Sequence, residues 1–175
     1  MIGKAMQDAL NEQIKHEMGS MYLYLSMSAY FNAEGMDGMA HWMRMQAMEE
    51  EIHAMKFFDH IKDRDGRVIL QALEQPKSEW ASPLDAFKAA YEHEQFITGK
   101  INDLVKLSRE ENDNAAFSML QWFVEEQVEE EASVSKVIQM LKLAGDNGYA
   151  LLMIDKELSM RQPPAATQQP AEGGE

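Results

Sequence analysis

Six side chains that could ligate a metal or hydrogen-bond its ligands stand near the helix midpoints where apolar ones belong: Glu17, Glu50, His53, Glu94, Gln127 and Glu130. Each interrupts a stripe of residues spaced alternately by three and four, the period of one helix face. The stripes read Leu10, Ile14, Glu17, Met21, Tyr24, Ser28, Phe31; Met39, Met43, Gln46, Glu50, His53, Phe57, Ile61; Phe87, Tyr91, Glu94, Thr98, Ile101, Val105; and Leu120, Phe123, Gln127, Glu130, Val134, Ile138, Leu141. Four carboxylates inside an apolar core are prohibitive without compensation, and two divalent cations cancel four glutamates in formal charge. Oxygen donors with one imidazole and no thiolate suit iron, manganese or zinc, and a carboxylate-bridged pair favours redox-active iron. Calcium prefers loop carbonyls, and no EF-hand spacing occurs.

Four long helices must position these groups. Gly and Pro are sparse, and the stretches between them are rich in Met, Leu, Ala, Glu, Gln and Lys. The pattern predicts helices over 4–32, 39–65, 83–110 and 114–143, and a shorter fifth over 147–160. Ser82 as N-cap, Pro83 at the first helical position and Asp85 in the first turn mark the third helix. The first and second helices, and the third and fourth, are joined by short connections typical of antiparallel neighbours. About sixteen residues, including Arg67-Val68-Ile69-Leu70, separate the second from the third. At ~3.3 Å per residue such a crossover spans the ~40 Å of a long helix, making those two parallel. The fold expected is all-α, a four-helix bundle with one long crossover.

The helix midpoints fall near residues 18, 52, 96 and 128. At ~1.5 Å rise per residue, all six polar breaks lie within about 3 Å of one level. Singly, each has a plainer explanation. Glu50-x-x-His53 reads as a surface pair, and Gln127/Glu130 as part of the solvated acidic run from Glu125 to Glu131. Their coincidence in face, depth and charge is what favours a metal centre.

Composition narrows the rest. The 175 residues carry a net charge of −14, a field that repels nucleic acid and anionic lipid and attracts cations. No cysteine is present, which removes disulfide frameworks, thiolate metal sites and cysteine nucleophiles. No apolar run approaches the ~18 residues of a membrane span, and MIGKAMQDAL lacks the apolar stretch of a secretory signal, so a cytoplasmic address is expected. Residues 1–160 read as one domain, and the Pro/Gln/Gly-rich segment 161–175 as a disordered tail.

The segments LNEQIKHEMGSMYLYLSMSAYF, MEEEIHAMKFFDHI, YEHEQFITGKIN and FSMLQWFVEEQVEEE resemble the four helix signatures of bacterial non-haem ferritins, and LAGDNGYALLMIDKEL resembles the phrase leading into their fifth helix. The resemblance covers residues 1–160. It implies the ferritin-like bundle, assembly into a shell of twenty-four subunits, and a ferroxidase that oxidises Fe(II) with O2 or H2O2 and stores Fe(III) as mineral. It implies that Glu17 and His53 hold a first iron, Glu50 bridges, and Glu94 and Glu130 hold a second, with Gln127 counted among them as a hydrogen-bonding group. Glu49, Glu126 and Glu129, helped by Glu130, match a third iron position; a solvated acidic stripe is the alternative. Tyr24 and Trp122 match positions beside the centre, Tyr24 as an electron or hydrogen-bond donor or as a plain core residue. Haem is not expected, because the slot of a second E-x-x-H reads Gln127-Val128-Glu129-Glu130 and Glu51 stands where haem-binding relatives carry methionine. A catalytically silent storage subunit and a di-iron redox enzyme of rubrerythrin or oxygenase type are the rival readings.

Overall fold

The computed structural model describes residues 1–164. Five helices follow in order: α1 (Lys4–Ala33), α2 (Asp37–Asp63), α3 (Pro83–Glu110), α4 (Asn114–Ala144) and α5 (Gly148–Leu158). Among the described residues there is no strand, and no helix is long and apolar enough to cross a membrane. The second helix begins and ends two residues earlier than the sequence pattern predicts. Its C-terminal turn closes with Asp65 in the left-handed region at φ 57°.

The caps have local causes. Ser82 accepts from the backbone N–H of Asp85 at 3.1 Å with Pro83 behind it, Asp113 accepts from Ala116, and Asn147 accepts from Tyr149 and Ala150. Gly35, at φ 74°, supplies the left-handed residue that turns α1 into α2.

Residues 64–82 run back along α1 and make α2 and α3 parallel. Side chains of α1 hold this crossover in place of a neighbouring strand. Asn11 donates to the carbonyl of Arg67 at 3.1 Å and accepts from Ile69 N–H at 2.7 Å. Further along, Ser26 donates to the carbonyl of Lys77 at 2.7 Å, and Trp80 packs edge-on against Tyr30 at 5.3 Å. At the opposite end Arg64 forks onto Asp113 at 2.7 and 2.8 Å, joining the end of α2 to the start of α4.

Two apolar clusters fill the bundle. One, at the α1–α2 turn, gathers Phe31, Met39, Met43, Phe87, Val134 and Leu141 beneath Ile154 and Leu158 of α5. The other, at the far end, gathers Met6, Leu10, Ile14, Phe57, Ile61, Ile101, Leu120 and Phe123. Between them lies a belt of buried polar side chains. The seam of α3 differs from the expected one: Ala90, Ile97 and Leu104 are buried, whereas Tyr91, Thr98 and Val105 are only half-buried. The two rows differ by one residue, and the all-aliphatic row turns inward while the row carrying the Tyr91 and Thr98 hydroxyls stays at the edge.

α5 docks on the start of α2 by an unusually close approach. Both carboxylate oxygens of Asp155 accept backbone N–H groups at the α2 N-terminus, from Gly38 at 3.1 Å and Met39 at 2.8 Å. A Cβ on Gly38 would lie 1.7 Å from the carbonyl oxygen of Asp155, so glycine is required there.

Candidate metal centre

Glu17 of α1, Glu50 and His53 of α2, Glu94 of α3, and Gln127 and Glu130 of α4 all face the polar belt, each 1 to 5 % exposed. Glu50 and His53 stand one turn apart, with Glu50 Oε2 3.6 Å from His53 Nδ1. Potential ligand atoms of Glu17, Glu50 and His53 lie within 4.8 Å of one another, and so do those of His53, Glu126 and Glu130.

Donors around the belt are neutral. Gln13 donates to Glu17 Oε1 at 2.8 Å, and Gln46 donates to Glu130 Oε2 at 2.5 Å and Glu50 Oε1 at 3.3 Å. Gln127 reaches Glu94 Oε2 at 3.3 Å and Thr98 Oγ1 at 3.2 Å, and Thr98 in turn donates to Glu131 at 2.6 Å. The Tyr24 hydroxyl donates to Glu94 Oε1. Glu17 Oε2 is buried and has no hydrogen-bond partner.

This supply falls short of four charges. Burial, reinforced by the neighbouring carboxylates, pushes Glu17, Glu50 and Glu130 well above the usual carboxylate range, and burial raises Glu94 despite the Tyr24 and Gln127 hydrogen bonds. Burial followed by the Glu94 charge likewise drives the Tyr24 hydroxyl up. Among the described residues, no lysine or arginine is fully buried in the belt. The four carboxylates therefore have no fully buried cationic side chain among them, and the orphaned Glu17 oxygen and grouped donors suit a divalent cation pair.

The ring of His53 packs edge-on against Trp122 at 5.5 Å and Phe123 at 5.9 Å, which fixes its plane. Lys56 Nζ lies over the Trp122 ring, 4.1 Å from its centroid. Beyond His53 a cavity of about 290 Å³ is lined by Glu49, His53, Glu126 and Pro164, among others.

A match to the Ferritin-like domain family spans residues 7–144. The chain belongs to the ferritin family. It is 41 % identical over 161 residues to a bacterial non-heme ferritin of Bacteroides fragilis, covering 92 % of this chain and all of that one. With a probable bacterial non-heme ferritin-like protein of Haemophilus influenzae it shares 39 % over 158 residues, 90 % of this chain and 96 % of the other. An engineered closed form of Archaeoglobus fulgidus ferritin superposes with a TM-score of 0.93 at 51 % identity, covering 94 % of this chain and 100 % of that one. The open-pore ferritin of the same archaeon gives 0.92 at 51 %, covering 93 % and 100 %.

Within this ferritin subunit the three outer glutamates named from sequence have separate surroundings. Glu126 Oε1 lies 3.9 Å from His53 Nε2. Glu49 is ion-paired with Arg161, and Glu129 is exposed. Gln46, Gln13 and Arg161 were not singled out from sequence. Gln46 was legible as a polar break one turn before Glu50, but Arg161 follows the last helix and carries no periodic signal. His93, next to Glu94 in sequence, accepts or donates at 2.7 Å with Ser20, and burial, with His16 adding to it, lowers its pKa to about 4. Residues 165–175, the remainder of the predicted tail, lie outside the described residues.

Proposed function

We propose that this chain is a ferroxidase subunit of an iron-storing shell, binding two Fe(II) ions as substrate between Glu17, Glu50, His53, Glu94 and Glu130. The single observation that carries this reading is four buried carboxylates around one imidazole with no buried cationic side chain to balance them. The naming of its relatives as ferritins supports the same choice.

In this reading Glu17 and His53 hold one ion, Glu94 and Glu130 the other, and Glu50 bridges. Gln127 orients Glu94, and Tyr24 steadies its other oxygen. Each Fe(II) gives one electron. The pair reduces O2 to H2O2, or H2O2 to water, with two protons taken up in either case. Anionic oxygen donors favour the higher charge of Fe(III), which lowers the barrier to electron loss. Fe(III) then passes to the interior of a shell of about twenty-four subunits and is stored as hydrated oxide. Glu126, with Glu49, Glu129 and Glu130, is the proposed outer iron position. Exposed apolar side chains on the crossover (Ile69, Leu70) and around α5 (Leu143, Tyr149, Leu152) support self-assembly.

The test is aerobic Fe(II) titration of the metal-free protein beside Glu50→Ala/His53→Ala, following Fe(III) absorbance. Fast oxidation breaking near two irons per subunit, absent from the double variant, is the expected result. Equal rates in both proteins would remove the catalytic reading and favour a silent storage subunit. Light scattering separates a shell from a dimeric di-iron enzyme by mass.

A further inference from the structure

Directly after α5 the chain returns to the metal centre. The Arg161 guanidinium pairs with Glu49, donates to Gln46 Oε1 at 2.8 Å, and lies 4.3 Å over the ring of Trp42. The carbonyl oxygen of Arg161 lies 2.9 Å from His41 Nε2. Only 18 % of the Arg161 side chain and 21 % of Glu49 are exposed, so the pair is set into the surface and not loosely solvated. Three residues on, Pro164 lines the same cavity as Glu49, His53 and Glu126. The arm 159–164 therefore reaches the space outside His53 at Pro164, with the positive charge of Arg161 already seated on one of the carboxylates there.

We propose that Arg161 is a built-in counter-cation for Glu49, so that a metal ion in the outer position beside His53 and Glu126 gains Glu49 as a ligand only by displacing the arm. A guanidinium and a divalent ion cannot share one partly buried carboxylate without strong mutual repulsion. His53, Glu126 and Glu130 can meet on one ion as they stand, and Glu49 is not in that group. The geometry thus makes outer-ion binding and arm docking compete, and by linkage each weakens the other by the same factor. The same guanidinium holds the carbonyl oxygen of Gln46, which aims the amide hydrogens at Glu50 and Glu130. Releasing the arm frees that amide, so outer occupancy is felt at the inner carboxylates. Because Glu49 borders the proposed di-iron centre, this competition has meaning only if that reading of the centre holds.

The experiment uses the assembled full-length protein, metal-free, titrated calorimetrically with Zn(II), a redox-silent probe. Wild type, Arg161→Gln and Glu50→Ala/His53→Ala are compared. Arg161→Gln is expected to tighten the third ion per subunit roughly tenfold, a coupling of ordinary size, and to shift the first two, felt only through Gln46, by less. In the wild type, amide exchange at 159–161, where Ser159, Met160 and Arg161 close the last turn of α5, should rise between the second and third equivalents and not before. That measurement decides alone should the variant fail to assemble. Unchanged third-ion affinity, or arm exchange indifferent to the third equivalent, overturns the proposal. Two tight ions surviving in Glu50→Ala/His53→Ala would instead sink the di-metal centre itself, whatever Arg161 does.

Discussion

The side-chain amide of Gln46 on α2 donates to Glu130 on α4 at 2.5 Å, so one neutral residue ties the two helical hairpins across the buried carboxylates. It also reaches Glu50 at 3.3 Å. Without metal, this amide is a principal donor to the belt. Gln46→Leu should destabilise the metal-free protein by about 1–3 kcal/mol, the cost of leaving buried acceptors unmade. With Zn(II) bound the loss should shrink, because the ions then compensate the same oxygens. Denaturant midpoints with and without zinc measure this; an equal loss in both states would remove the compensating role.

Proton release should accompany metal binding. Glu17, Glu50, Glu94 and Glu130 all have folded values raised above 4.5, mainly by burial. A raised carboxylate contributes stability that is complete below its unfolded value and is lost as pH rises through its folded value. Thermal melts of the metal-free protein should therefore show the carboxyl-linked stability falling as pH rises above 4.5, opposite in sign to the effect of His93, which burial lowers from 6.5 to about 4. Zn(II) should abolish that slope. Calorimetry in two buffers of different ionisation enthalpy should show net protons leaving as Zn(II) binds; none leaving would mean the carboxylates are already ionised.

Tyr24 offers a separable test. Its hydroxyl donates to Glu94, which Gln127 also holds. Tyr24→Phe should keep two ions per subunit but weaken the tighter binding or slow Fe(II) oxidation by roughly tenfold, as loss of a group orienting a ligand usually does. Stopped-flow oxidation beside zinc calorimetry reads both, and wild-type values in each would make Tyr24 a plain core residue.

Much of this arrangement was legible before any fold was known, for identifiable reasons. Glu17, Glu50, Glu94 and Glu130 betray themselves because a charge in an apolar stripe is rare, and helical rise converts position into depth. The seam of α3 was misread because Ala90/Tyr91, Ile97/Thr98 and Leu104/Val105 form two adjacent rows at the same helical spacing, and the one without hydroxyls is the one that is buried. Glu49 and Glu129 illustrate a different limit. Both sit in acidic runs, yet one meets an arginine 112 residues away and the other meets solvent. Periodicity within a helix carries no information about such distant partners.

The docking of α5 rests on few groups. Asp155→Ala removes both acceptors at the α2 N-terminus and should cost about 1–2 kcal/mol, the usual worth of a capping carboxylate. Thermal melts measure this, and amide exchange of 148–158 should rise more than that of α1. Uniform exchange along the chain would show that α5 is held by its apolar face alone.

The polar belt divides the bundle's interior into two apolar masses, so the metal-free subunit has a seam of weak cohesion across its waist. Each end is filled by its own apolar cluster, and at the waist the helices are tied to one another across the bundle by hydrogen bonds such as Gln46–Glu130. Cations bound to all four helices at that level would act as a rivet. They would join two semi-independent halves into one cooperative unit, and an iron-loaded subunit would resist local opening at both ends although neither end touches the metal.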